Sequence, residues 1–159
     1  MSSEYQTLLP QDEQRFAPPG VVPGKWWNRV GAAFLDSLLV GLPVVIVFAA
    51  TGNYTTGQFS APQLISAAAL LVYSILMLTY RAGQTVGKGV TNVRVLRADG
   101  APIELGRATG REVVKAIFAL TGILYVISAL WAVWHPENKA LHDLIAGTRV
   151  VMADSAPAE

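Results

Sequence analysis

Apolar residues fall in long runs along this chain, broken by few polar positions. The first run, Val30 to Ala50, would reach about 31 Å as a helix at ~1.5 Å per residue, which matches the hydrocarbon core of a bilayer. A polar stretch without charge, Thr51 to Gln63, follows it. Ser60, Pro62 and Gln63 there resemble a capping box that opens a second membrane helix, from about Gln63 to Tyr80. Trp26 and Trp27 before the first run, with Tyr54 and Tyr80 beyond the apolar stretches, lie where interfacial aromatic belts lie.

A third run, Ala116 to Trp134, is just long enough to cross, but Thr121 and Gly122 interrupt its middle. It either spans or re-enters as a helical hairpin whose turn is sheltered by protein. The segment before it reads NVRVLRADGAPI, where alternating Val93 and Val95 and the turn residues Asp99 and Gly100 predict a short β-hairpin. TRVV, near the end of the chain, is a similar short strand. It can pair with the hairpin only from the same side of the membrane, which favours re-entry.

Composition supports a membrane protein: 52% of residues are hydrophobic and 14% charged, and the mean hydropathy is +0.40. Charge placement sets an orientation. Between Arg29 and Arg81 the only ionisable acid or base is Asp36, whereas Arg81 to Lys115 also holds Lys88, Arg94, Arg97, Arg107 and Arg111 against Asp99, Glu104 and Glu112. The positive-inside rule makes that segment, and with it the N-terminus, cytoplasmic. The expected fold is therefore an all-α membrane protein with two transmembrane helices, a third spanning or re-entrant segment and a small cytoplasmic β-hairpin region. Residues 1–24, with four prolines, read as a disordered tail without the apolar core of a secretory signal; 25–152 form the membrane domain, and 153–159 a second tail.

Asp36 is the most informative residue, because an ionisable group inside a span costs several kcal/mol unless it is paired, protonated or hydrated. Arg29, two turns earlier, snorkels toward the interface, so the two do not pair within one helix and Asp36 needs another partner. Ser37, a hydroxyl or base from another segment, a second protomer, a cation or a proton could serve. A purely structural hydrogen-bonding role competes with a coupling role. Gly31, Ala32, Ala33 and Gly41 allow close helix approach on the same segment.

Other motifs carry less. GQTVGKGVT, Gly83 to Thr91, fails the phosphate-loop spacing and reads as a glycine-rich turn with Arg81 and Lys88 facing lipid headgroups. His142 and Asp143 are adjacent, but with only two histidines and no cysteine the sequence implies no metal site, no cofactor and no thiol chemistry. ENKALHDLIAG reads as a short interfacial helix closed by Gly147, with Lys139 and Asp143 as an (i, i+4) pair. No catalytic constellation stands out, and the basic segment lacks the aromatic interleaving of a nucleic-acid surface, so neither an enzyme nor nucleic-acid binding is expected.

Taken in order, Arg29 at the mouth of the first run, Asp36 within it, GQTVGK after the second, NVRVLRADGAPI, Arg111 and LHDLIAGTRVV resemble the RDD family of small bacterial membrane proteins, named for an arginine and two aspartates. The likeness covers about residues 25–151. It implies that Arg29, Asp36 and Asp143 are the family residues, with Ser37, Arg111 and His142 in support, in a protein of the bacterial inner membrane. The family is suspected of transport, with some members proposed as sodium/proton antiporters. Two functions follow as expectations: proton-coupled transport of a small cation or solute through a homo-oligomer, or an accessory or scaffold role in a larger membrane complex.

Overall fold

The structure is a computed structural model and describes residues 20–52, 60–135 and 137–156. The expected tails therefore lie largely outside the described residues, as does Tyr54. Two long helices dominate: α1, Trp26–Ala50, and α2, Ala61–Tyr80. Both are long and apolar enough to cross a membrane, and they pack against each other. Each begins a few residues before the apolar run that predicts it. Ser60 does stand at the N-cap of α2 with Pro62 in its first turn, but its hydroxyl makes no cap bond.

A short helix α3, Val86–Val90, and strand β1, Val93–Arg97, follow. Next come α4, Leu105–Thr121, and α5, Ile123–Trp134, then α6, Leu141–Ile145, and β2, Thr148–Met152, with a 3-10 turn at Ala153–Ser155. Gly122, at φ +63°, separates α4 from α5, and the two meet at 119°. A left-handed residue cannot continue a helix, and glycine takes that conformation with least strain. The apolar run from Ala116 to Trp134 is thus not one helix. Its first part is the end of α4, whose beginning carries Arg107, Arg111, Glu112 and Lys115.

The β-structure departs from the expected hairpin. β1 pairs antiparallel with β2, in the register Val93↔Met152, Val95↔Val150 and Arg97↔Thr148. The second arm of NVRVLRADGAPI contributes only the bridge Leu96↔Pro102 after a turn at Gly100. Pro102 has no N–H to give a ladder, whereas TRVVM offers every donor and is buried along most of its length. On its other edge β2 receives the chain entering α1, through Gly24 N–H to Val150 O at 2.9 Å and Met152 N–H to Val22 O at 2.9 Å.

This small sheet forms the floor of the molecule. The buried core sits on it, with Val93, Val95 and Val150 packed under Ala32, Leu78, Ile103 and Ala108. Farther along the helices almost nothing apolar is covered: Phe34 is 62% exposed and Ile123 73%. Such a surface is costly in water and suited to lipid.

Candidate functional site

Asp36 lies one turn beyond Ala32 on the buried side of α1, and three donors converge on its carboxyl group. Oδ1 accepts from Tyr73 Oη at 3.0 Å and Gly87 N–H at 2.8 Å. Oδ2 accepts from Thr85 Oγ1 at 2.6 Å. Tyr73 comes from α2; Thr85 is the N-cap of α3, and Gly87 lies within that helix. One side chain therefore joins α1, α2 and α3. Gly87 makes this approach possible, because a Cβ there would stand 2.2 Å from Ala32 O and 2.9 Å from the Asp36 carboxyl carbon.

Arg29 is one end of a second cluster. Its Nη1 donates to Asp143 Oδ2 at 2.8 Å, Nε to Gly24 O at 3.2 Å and Nη2 to Val150 O at 3.3 Å. Asp143, wholly buried in α6, also accepts from Arg111 Nε at 3.0 Å and Ala140 N–H at 3.2 Å. Burial alone would raise the Asp143 pKa, but the charges of Arg111 and Arg29 outweigh it and hold the carboxyl far below its usual range. Arg111 bonds Glu112 as well, and Glu112 pairs with Lys115. His142 Nδ1 is 3.0 Å from Ser128 Oγ, and its Nε2 3.4 Å from Arg111 Nη2. Burial first, then Arg111 and Lys115, lower the His142 pKa to about 4 against the pull of Asp143, so the ring is neutral near pH 7.

The two clusters border one cavity of about 320 Å³ between α1, α2, α4 and α5. Arg29, Asp36, Lys88, Arg111, Glu112 and Lys115 make its polar wall. Trp26 also lines it, donating through Nε1 to Ala129 O of α5 at 2.8 Å.

Arg29 and Asp143, more than a hundred positions apart, are thus in direct contact, with Arg111 and His142 beside them. Asp36 belongs to a separate hydrogen-bond set. Ser37 is no partner of Asp36: its hydroxyl donates to Ala33 O at 2.8 Å within α1. Lys88 lines the cavity, where Nζ is 3.4 Å from Thr85 Oγ1. Burial, with Lys115 and Arg111 nearby, lowers its pKa to about 8. Arg81 is exposed at the C-terminal end of α2. Lys139 pairs with Glu137 and not with Asp143, whose oxygens are turned inward to two arginines and the Ala140 N–H. Tyr73, Thr85, Gly87, Glu112 and Lys115 escaped sequence reasoning. GQTVGK already held Thr85 and Gly87, but its polar residues read as a surface turn.

Two crossing-length helices, a bent apolar pair and buried charge clusters above a small sheet define a compact helical protein built for a membrane. The RDD family profile matches residues 23–147, and the chain belongs to the RDD family. It is 32% identical to the uncharacterized protein YckC of Bacillus subtilis (strain 168), over 82% of this chain and 85% of that one. Another uncharacterized protein of that strain, YxaI, is 27% identical over 81% of this chain and 97% of its own length. An uncharacterized Haemophilus influenzae protein is 32% identical over 74% of this chain and 73% of its own. No solved structure matches.

Proposed function

We propose that the protein is a non-enzymatic binding module of the bacterial inner membrane, with its N-terminus cytoplasmic, whose cavity holds a small molecule. The observation that carries this reading is the cavity itself: about 320 Å³, the size at which ligand sites begin, lying among helices of membrane-crossing length and lined in part by charged side chains. Clustering of basic residues between Arg81 and Lys115 supports the orientation. Pairing of β1, before α4, with β2, after α5, supports a hairpin that enters and leaves by one face. Two spans and a hairpin enclose no path across a bilayer, so the module acts as an accessory subunit of a larger complex or within a homo-oligomer.

The geometry argues against Asp36 as an ion-coupling carboxylate. A cation needs free oxygen lone pairs, and three donors already occupy most of those on Asp36. Its role here is to clamp three helices. Native mass spectrometry of the purified full chain tests the binding reading. A small molecule should co-purify with the wild type and be lost from Ala116→Phe, which fills the apolar wall. Wild-type protein with nothing bound, or equal occupancy in the variant, would contradict it.

A further inference from the structure

Four cationic side chains border the cavity, Arg29, Lys88, Arg111 and Lys115. Against them stand three carboxylates, Asp36 and Glu112 in its wall and Asp143 in contact with Arg29 and Arg111, so one positive charge is in excess among these seven groups. The pairing identifies which one. Asp143 is shared by Arg29 and Arg111, and Glu112 by Arg111 and Lys115. Asp36 spends its oxygens on three neutral donors. Lys88 has one contact, the hydroxyl of Thr85 at 3.4 Å, and no described carboxylate within ion-pair distance. An ammonium partly withdrawn from water, acted on by Glu112 and Asp36 only at a distance and without a direct ion pair, is stabilised by an anion brought to it from outside.

The rest of the lining is largely apolar and includes Leu70 and Leu71 of α2, Ala116 and Ala119 of α4 and Tyr125 of α5. Val30, Ala33 and Ala119 line the cavity yet are exposed, so it reaches the lipid-facing surface between α1 and α4. A basic pocket between membrane helices, open sideways, is suited to the head of an acidic lipid. Resting on the binding reading above, we infer that the cavity takes an anionic amphiphile: its phosphate or carboxylate head lies against Lys88, and its apolar body leaves past Val30, Ala33 and Ala119.

The test uses the full chain in mild detergent, with dioleoylphosphatidylglycerol, dioleoylphosphatidylcholine and inorganic phosphate as probes and native mass spectrometry as readout. Wild-type protein should retain the glycerol lipid at least tenfold better than the choline lipid. Lys88→Gln should remove that preference, Lys88→Arg should keep it, and Ala116→Phe should lose bound lipid altogether. Since Lys88→Arg retains the charge, its behaviour separates loss of binding from loss of fold. Glycerol-lipid retention unchanged in Lys88→Gln would overturn the assignment. Choline lipid held equally well and lost in Ala116→Phe would overturn the charge argument while leaving the cavity reading intact. Inorganic phosphate displacing the glycerol lipid at equal concentration would overturn the amphiphile, and no probe bound at all would remove both readings.

Discussion

At Asp36 the number of converging donors decides what a substitution does. Asn keeps one oxygen that can accept from Tyr73 and from Gly87 N–H, but its NH2 cannot accept from Thr85, whose oxygen already accepts from Lys88 N–H, so one bond of the three is lost. Asp36→Asn should therefore cost only about 1 kcal/mol. Leu leaves the O–H of Thr85, the O–H of Tyr73 and the N–H of Gly87 without their acceptor, at about 1–3 kcal/mol for each buried donor, so Asp36→Leu should lose about 3 kcal/mol or more. Unfolding of the purified variants in detergent measures both; an Asn variant as weak as Leu would contradict the clamp. His142 gives a pH signature. The unfolded ring takes a proton near pH 6.5 and the folded one only near pH 4. Stability is then complete above pH 6.5 and falls as the pH drops toward 4, by about 3 kcal/mol. Asp143, held far below its usual range, loses its contribution only at lower pH, outside this window. His142→Asn should flatten stability between pH 6.5 and 5, above the range in which Glu112, held at about 2, begins to lose its contribution, as followed by thermal unfolding across that range.

Among the elements, α3 depends most on a single atom. A methyl group at Gly87 would stand 2.2 Å from the backbone oxygen of Ala32, and a helix backbone cannot yield that distance. Gly87→Ala should push α3 off α1, break the bond to Asp36 and cost about 2–4 kcal/mol. Gly89, in the same helix with open space where its Cβ would be, is the control: Gly89→Ala should be neutral or slightly stabilising in the same thermal unfolding assay. The spans were legible because a run such as Val30–Ala50 is a local property, and so was the break at Thr121–Gly122. Pairing of strands was not. β1 had a near partner by sequence and chose β2, some fifty residues on, because Pro102 spoils the nearer ladder. The donors to Asp36 lie 37, 49 and 51 positions away, on elements whose relative placement no local pattern encodes. The place of Lys88 in the cavity wall was hidden for the same reason: nothing in GQTVGK tells that its helix packs onto α1.

At the scale of the whole molecule, Arg29 at the start of α1, Arg111 in α4 and Asp143 after α5 meet in one cluster, and β1 meets β2 beneath it. That assembly is possible only if α4 and α5 return the chain to the face from which α1 departs, so the binding cavity and its charged end stand or fall with the side on which the C-terminus lies. The sequence contains no cysteine, and single introduced cysteines report cleanly. The most direct measurement is labelling by a membrane-impermeant thiol reagent in intact cells, at Thr56→Cys, Ala98→Cys and Ser155→Cys. Position 56 alone should be labelled, with 98 and 155 protected until the membrane is opened. Labelling at 155 in intact cells would put β2 on the opposite side from β1 and contradict the site as a whole.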